Sequence, residues 1–334
     1  MKSWLARLFG SASGTAPGTA PAPEPRVPAS AAPAAPASAD SDPVSGEALD
    51  LAFFHWLAGP CAVPALPGGA LVLDELGRLQ ARPDAAAELV PRVPAVIPQL
   101  LRSLRDEAST AAGLARQVAQ DPVLVAEVIR EVNSPWYRPA TPVRNIEGAL
   151  LLLGQNGLRM LLARVAFRPV IGSQAGQLAR QLAPALWSQS EKCALAASLL
   201  APYHGADPFE AYLAGLMRNV GLVVALRVAD QVLPGGALPD DEAFMASLLA
   251  AARPLSARIA AAWDLPATVA AAIEGGDSSQ PPVLALSRAL AAGDRLAKLR
   301  LLADAAQPGF VRSAGALAPR ERQVFDQLQA PEDD

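Results

Sequence analysis

The chain has 334 residues, 51% of them hydrophobic and 5% aromatic, and its 28 basic and 32 acidic residues give a formal net charge of -4. This balance excludes nucleic-acid binding as an expected function, because phosphate recognition needs clustered Lys and Arg. The abundance of Ala and Leu and the scarcity of β-branched runs predict an all-α fold. Cys61 and Cys193 stand alone, which indicates neither a disulfide framework nor a zinc cluster and fits a cytoplasmic protein.

Residues 1–10, MKSWLARLFG, are too short and too charged for a secretory signal and predict a short amphipathic segment. Its apolar side chains fall on one helix face, which suits docking on a membrane surface or a partner; the alternative is a frayed chain start. Those side chains are Trp4, Leu5, Leu8 and Phe9. Residues 11–46 are nearly all Ala, Pro, Ser, Gly and Thr and predict a disordered linker. The sequence contains no run of eighteen uncharged apolar residues and therefore predicts no membrane span.

The folded part is predicted to start near Glu47, with a helical extension over 47–88, a main helical domain over 89–300 and a C-terminal helix with an acidic tail over 301–334. The first of these helices carries an apolar stripe of Leu49, Phe53, Trp56 and Leu57.

The clearest local signal is QDPVLVAEVIREVNS, residues 120–134. Asp121 is a favourable N-cap and Pro122 suits the first helical position. The predicted apolar face of this helix comprises Val125, Val128, Ile129 and Val132.

The stretch AYLAGLMRNVGLVVAL, residues 211–226, predicts a helix that is apolar all round and is interrupted by Arg218 and Asn219. A cation and an amide in the middle of a buried helix need partners, since an unpaired buried charge is costly.

Catalytic and metal-binding patterns are missing from the sequence. The two histidines, His55 and His204, have no second His at helical spacing; core packing is expected for His55 and a helix-terminal turn for His204. There is no GxSxG elbow and no phosphate-binding glycine loop. We therefore predict no catalytic residue, no bound metal and no cofactor.

Several segments taken in order resemble the HDOD domain, a bacterial relative of the HD-type metal phosphohydrolases. They lie within about residues 89–300, and the resemblance implies an all-helical bundle. The segments are LVPRVPAVI, VAQDPVLVAEVIREVNSPWY, VRNIEGALLLLGQNGLRMLL, LWSQSEKCALAASLLA, FEAYLAGLMRNVGLVVAL and AAAWDLPATVAAAI.

The resemblance also implies which positions hold metal in the catalytic relatives. Arg218 and Asn219 stand where those relatives have adjacent His and Asp, Gln189 stands at a further His position, and EGGDS at 274–278 replaces a His pair. Asp294 is the one ligand-type residue that the pattern retains. A guanidinium cannot ligate a metal, and two neutral amides hold one weakly.

We therefore expect an empty metal site in which Asp294 neutralises Arg218. Two alternatives remain open. Arg218 and Gln189 can line a pocket for an anionic ligand such as a nucleotide, or Arg218 can face solvent or a partner.

A second set of candidates sits in the loop after the Asp121 helix: Asn133, Ser134, Trp136 and Tyr137. Exposed aromatic side chains in a loop between rigid helices are candidate anchors for a protein partner; the alternative, which the sequence favours, is that Asn133 caps its helix and Trp136 fills the core. The resemblance implies a non-catalytic regulatory module of bacterial signalling that binds a protein or a nucleotide. A metal-dependent phosphohydrolase with unfamiliar ligands is the competing hypothesis.

Overall fold

The computed structural model describes residues 46–64, 66–81, 111–119, 121–134, 137, 139–172, 176–275 and 280–329. The predictions for the N-terminal segment and linker, for LVPRVPAVI, for Trp136, for 276–279 and for the last residues of the acidic tail lie outside the described residues. In chain order the helices are α1 (Gly46–Ala58), α2 (Gly69–Ala81), α3 (Ala111–Val118), α4 (Pro122–Val132), α5 (Ile146–Gly172), α6 (Gln177–His204), α7 (Pro208–Met217), α8 (Val220–Val232), α9 (Glu242–Ala262), α10 (Ala267–Glu274), α11 (Pro281–Asp304), α12 (Pro308–Gly315) and α13 (Pro319–Gln327).

Helices account for nearly all regular structure in these residues, which confirms the predicted all-α class. The described strands are two-residue segments, β1 (Ala62–Val63) and β2 (Leu238–Pro239), paired in parallel with Ala62 opposite Leu238. They tie the turn after α1 to the turn after α8.

Helix α4 begins with the N-terminal cap that the sequence predicted. The Asp121 carboxylate accepts hydrogen bonds from the N–H groups of Val123 and Leu124, each at 3.0 Å, and Pro122 occupies the first turn. Leu124 is buried together with two members of the predicted face, Val128 and Val132. The other two, Val125 and Ile129, are only half-buried.

Helix α6 lies at the centre of the bundle, with α7 and α11 packed closely against it. A Cβ atom at Gly215 of α7 would lie 2.4 Å from the Cα of Ala194, and one at Gly293 of α11 would lie 2.6 Å from the nitrogen of Ala197. Only glycine permits such an approach at these two positions. The two contacts bring the polar side chains of all three helices to one place.

The two histidines have different outcomes. His204 ends α6, and Gly205 follows in the left-handed region at φ 75°, so the predicted turn position is confirmed. Core packing was wrong for His55, because its side chain is 66% exposed and its Nδ1 lies 3.7 Å from Oδ1 of Asp240. Its neighbours Phe53 and Phe54 supply the buried face of α1 instead.

Two helical segments within the described residues are long and apolar enough to cross a membrane. Ile146–Ile171 has a mean hydropathy of 1.2 and is 44% buried, whereas Pro208–Val232 has a mean hydropathy of 1.4 and is 89% buried. The second segment comprises α7 and α8, and its burial is that of a core element in a soluble bundle.

Candidate functional site

Arg218 and Asn219 lie at a break between two helices. The sequence predicted one continuous helix here, and that prediction was wrong: α7 ends at Met217 and α8 begins at Val220. Arg218 keeps helical angles at φ -48° and ψ -42°, but Asn219 turns away at φ -100° and ψ 2°. The two polar side chains therefore project from a bend and not from the middle of a straight apolar helix.

Ser256 of α9 holds this bend together. Its hydroxyl accepts a hydrogen bond from the N–H of Gly221 at 2.8 Å and donates one to the carbonyl of Arg218 at 3.0 Å. Both backbone groups lie at a helix end, where they lack partners within their own helix. A Cβ atom at Gly221 would lie 2.0 Å from the carbonyl oxygen of Ala252, so glycine is required for this contact.

Arg218 is paired with Asp294, as the sequence predicted. A guanidinium nitrogen of Arg218 lies 3.0 Å from Oδ2 of Asp294, and the same oxygen accepts from Nζ of Lys298 at 2.7 Å. The side chains are 14%, 5% and 10% exposed, respectively. One carboxylate thus pairs with two cations that are almost excluded from water.

The charges shift the pKa values within this group. Burial acts to raise the pKa of Asp294, but Arg218 and Lys298 outweigh burial and hold the pKa well below its ordinary value of 3.8. Burial likewise acts to lower the pKa of Arg218, and the Asp294 charge reverses the effect. Asp294 is therefore ionised at neutral pH.

Two amide side chains complete what we call the central network: Gln189, Arg218, Asn219, Asp294 and Lys298. Gln189 donates from Nε2 to Oδ1 of Asp294 at 2.5 Å and accepts from the Asn219 amide. Asn219 also donates to the hydroxyl of Ser190 at 3.0 Å. Both oxygens of Asp294 are therefore occupied by donors from the protein itself.

An outer pair of charges lies next to this network. Asp50 of α1 accepts from Nζ of Lys298 at 2.5 Å, and its other oxygen lies 3.6 Å from a guanidinium nitrogen of Arg253. The Arg253 side chain is 43% exposed. Asp50 and Arg253 could not be identified from the sequence, because α1 and α9 are brought to the network only by the tertiary fold.

Two cavities open beside the central network. The larger, about 850 Å³, is lined by charged residues that include Asp50, Arg218, Arg253, Asp294 and Arg295. The smaller, about 500 Å³, is lined by Arg218, Arg253, Ala272, Gly275, Ser287, Leu290 and Ala291. Gln189, which one of the alternatives placed in a pocket with Arg218, is fully buried inside the network and lines neither of these two cavities.

The donor set does not fit a divalent metal. Within the described residues no three side chains of His, Cys, Asp or Glu come together in a group that fits a metal ion. Cys193 lies close to Asp294, but burial raises the pKa of its thiol and keeps it protonated. The arrangement supplies a set of fixed charges and amides next to two cavities.

Comparison with known proteins places this site in a family. The HDOD domain family matches residues 90–277, more than half of the chain. The chain belongs to the HDOD domain family. No curated protein matches it significantly.

Solved structures are similar to this chain at low sequence identity. A protein from Shewanella amazonensis SB2B, provisionally named a metal-dependent phosphohydrolase, is 18% identical with a TM-score of 0.52 over 78% of this chain and 99% of its own. An HDOD domain protein of unknown function from Geobacter sulfurreducens is 21% identical, with a TM-score of 0.49 over 75% of this chain and 94% of its own. A protein from Marinobacter aquaeolei VT8, provisionally named a signal transduction protein, is 18% identical, with a TM-score of 0.47 over 85% of this chain and 67% of its own.

The loop after α4 holds the second set of predicted residues, and its described members Asn133, Ser134 and Tyr137 are less exposed than expected. Asn133 exchanges two hydrogen bonds of 2.8 Å with the backbone of Val143 and donates a third, of 2.8 Å, to the carbonyl of Ile129. Ser134 and Tyr137 are also half-buried. Asn133 therefore fastens the loop to its helix, which is the structural alternative considered above, while a partner-binding role for this loop stays a prediction.

Sequence reasoning missed a second, partly buried group of charges, which we call the Arg164 cluster: Glu131, Arg164, Arg168 and Glu191. Arg164 lies 2.5 Å from Glu131 and also pairs with Glu191, and Arg168 lies 3.4 Å from Glu131. Burial raises the pKa of the neighbouring Tyr137 to about 12, against the opposing charge of Arg164. The available signal was Glu131, which follows the buried Val128 by three residues and therefore lies on the buried face of its helix.

Proposed function

We propose that this HDOD protein is a non-catalytic regulatory module of bacterial signalling that acts by binding a protein or a small ligand. The observation that supports the proposal is the state of Asp294. Its two oxygens are engaged by Arg218, Lys298 and Gln189. A metal ion at this position would have to displace a buried arginine, which stays protonated and repels a divalent cation.

The competing function is metal-dependent phosphoester hydrolysis. It draws on the name of the Shewanella relative, but a likeness of 18% identity extends only to the fold. Hydrolysis of this type needs a metal-activated water, and therefore several ligating side chains around one open position. Gln189 and Asn219 offer only neutral amide oxygens, and the Gln189 oxygen already accepts a hydrogen bond from the Asn219 side-chain nitrogen.

Nucleotide sensing is a second candidate for the binding function. It is favoured by the two cavities that meet at Arg218 and Arg253, because guanidinium groups beside a cavity are suited to phosphate recognition. A regulatory protein that binds a nucleotide without cleaving it is compatible with the filled metal position. We also propose that the protein works in the cytoplasm, where the free thiols of Cys61 and Cys193 stay reduced.

A hydrolysis assay separates the binding module from the enzyme. Full-length protein is incubated with bis(4-nitrophenyl) phosphate, adenosine 5′-monophosphate and cyclic diguanylate in the presence of Mn²⁺, Fe²⁺, Zn²⁺ or Mg²⁺. The proposal predicts no turnover above that of the matched variant Asp294→Asn, whose fold is checked by circular dichroism. Metal-dependent turnover in the wild type that is lost in Asp294→Asn would contradict the proposal and support the phosphohydrolase.

A further inference from the structure

The ion-paired groups around Arg218 carry more positive than negative charge. Lys298 and Arg218 share the carboxylate of Asp294, and Lys298 and Arg253 share that of Asp50. Three cations are therefore joined to two carboxylates. The unmatched positive charge lies at the outer edge of this group of ion pairs, because Lys298 contacts both carboxylates whereas Arg253 contacts only Asp50, at 3.6 Å.

Arg253 is the guanidinium with the most unused hydrogen-bonding capacity in this group. It makes no hydrogen bond to any residue that the structure describes, and its nearest carboxylate oxygen is beyond hydrogen-bond range at 3.6 Å. The nearby charge of Arg218, followed by burial, lowers the pKa of Arg253. Two guanidinium groups that repel each other across a cavity favour an anion between them.

The smaller cavity combines this charge with a hydroxyl group. Arg218, Arg253 and Ser287 are the polar side chains that line it, and no carboxylate belongs to its lining. The hydroxyl of Ser287 is buried and has no hydrogen-bond partner among the described residues. Arg218 spends one of its five N–H donors on Asp294, so further donors remain for a ligand.

The larger cavity differs in its charge. It shares Arg218 and Arg253 with the smaller one, but Glu47, Asp50, Glu274 and Asp294 also belong to its lining. Carboxylates on the wall oppose an anionic ligand. The smaller cavity is therefore the better site for an anion.

We infer that the 500 Å³ cavity binds the phosphate group of a small phosphorylated molecule, held by Arg253, Arg218 and the hydroxyl of Ser287. A phosphate offers three or more acceptor oxygens, which match guanidinium and hydroxyl donors placed on different sides. The volume is in the range of sites for small ligands, about 300–1000 Å³. This inference rests on the proposed binding function and names the ligand class of the same site.

Isothermal titration calorimetry at constant ionic strength tests the inference on the full-length protein. The probes are inorganic phosphate, adenosine 5′-monophosphate and cyclic diguanylate, with succinate as a dicarboxylate of similar charge. The variants are Arg253→Gln and Ser287→Ala, and the matched control is Arg295→Gln. Arg295 lines only the larger cavity and pairs with Glu321 at 2.5 Å.

The expected result is saturable binding of at least one phosphate probe, weakened about tenfold or more in Arg253→Gln and several-fold in Ser287→Ala. Binding by Arg295→Gln should stay within about twofold of the wild type. Which probe binds tightest distinguishes free phosphate from a nucleotide. Circular dichroism and thermal unfolding of each variant confirm that it is folded.

Three results would overturn the inference: no binding of any phosphate probe below about 1 mM, equal binding of succinate, or loss of binding in Arg295→Gln that matches the loss in Arg253→Gln. The last result would place the ligand in the larger cavity. Turnover of a probe during the titration would instead overturn the proposed non-catalytic function, so the two failures are distinguishable.

Discussion

Two groups of partly buried charges lie in the same bundle and differ in the balance between positive and negative residues. In the Arg164 cluster two arginines face two glutamates, and Arg164 has a carboxylate on each side. Around the central network three cations share two carboxylates, and cavities open beside the unmatched charge.

This difference in charge balance indicates a structural role for the Arg164 cluster and a binding role for the surroundings of the central network. A buried ion pair contributes little net stability compared with apolar packing, but its disruption is costly because it leaves a charge unpaired. In the Arg164 cluster the positive and negative charges are equal in number and pair with one another, and the cluster joins α4, α5 and α6. Around the central network one positive charge is left without a matching carboxylate, and an anionic ligand would supply the missing negative charge.

The largest effect is expected from Asp294→Ala, which leaves Arg218 and Lys298 without their shared carboxylate. Removal of one partner from a buried charge pair costs about 3–5 kcal/mol of unfolding free energy. Chemical denaturation at pH 7 measures the loss. The matched control is Asp304→Ala, whose side chain is 39% exposed and pairs with Arg300 at 2.5 Å; it should lose no more than about 1 kcal/mol. Equal losses in the two variants would refute the buried network.

Acid should remove part of the same stabilisation. Because the folded-state pKa of Asp294 is depressed below 3.8, its contribution is fully present above that value and is lost as the pH falls through the folded pKa. The difference in unfolding free energy between wild type and Asp294→Asn should therefore shrink as the pH is lowered below 3.8. A difference that is independent of pH down to the acid limit would show that the carboxylate charge is not what stabilises the site.

A smaller loss is expected from Glu131→Gln in the balanced cluster. Arg164 keeps its pairing with Glu191, and Arg168 is largely exposed, so the loss comes mainly from the weakened charge-assisted hydrogen bond to Arg164, at a cost of about 2 kcal/mol. Denaturation measures stability, and the phosphate titration should be unchanged. If Glu131→Gln reduced ligand binding as much as Arg253→Gln, the division into structural and binding clusters would be wrong.

Asn133→Ala tests the loop fastening. The variant removes the two hydrogen bonds to Val143 and the one to Ile129, which should cost about 1–2 kcal/mol. Ser134→Ala is the matched control, since the Ser134 hydroxyl has no hydrogen-bond partner among the described residues. A stability loss in Ser134→Ala as large as that in Asn133→Ala would contradict the structural role of Asn133.

The smallest effect on stability is expected from Arg253→Gln, because the pair with Asp50 is long and the Arg253 side chain is 43% exposed. The unfolding free energy should change by no more than about 1 kcal/mol. Thermal unfolding checks this expectation. A large destabilisation would mean that Arg253 supports the fold, and the proposed ligand role would lose its basis.

The sequence supplied the fold class, the Asp121 cap and the pairing of Arg218 with Asp294. Each follows from a local rule, from the family resemblance or from the cost of a buried charge. The break at 218–219 was not predictable in this way, since the serine that stabilises it, Ser256, lies on another helix 35 residues beyond Gly221.

Other parts of the site depend on contacts across the bundle. Asp50 meets Lys298 although 248 residues separate them, and periodicity along a single helix carries no information about such a pair. The same limit explains His55: an aromatic neighbourhood indicated burial, but the buried face of α1 is formed by Phe53, Phe54 and Leu57. Local patterns predict elements, and tertiary packing decides which polar groups meet.

The most direct measurement for the central claim is the metal content of full-length protein, expressed with Mn, Fe, Zn, Ni and Mg supplementation and purified without a metal-affinity column. We expect well under one equivalent of every metal, because Arg218 occupies the position and Asp294 is already paired with Arg218 and Lys298. One equivalent or more of a single metal, lost in Asp294→Asn, would contradict the filled metal position and make the phosphohydrolase the leading function.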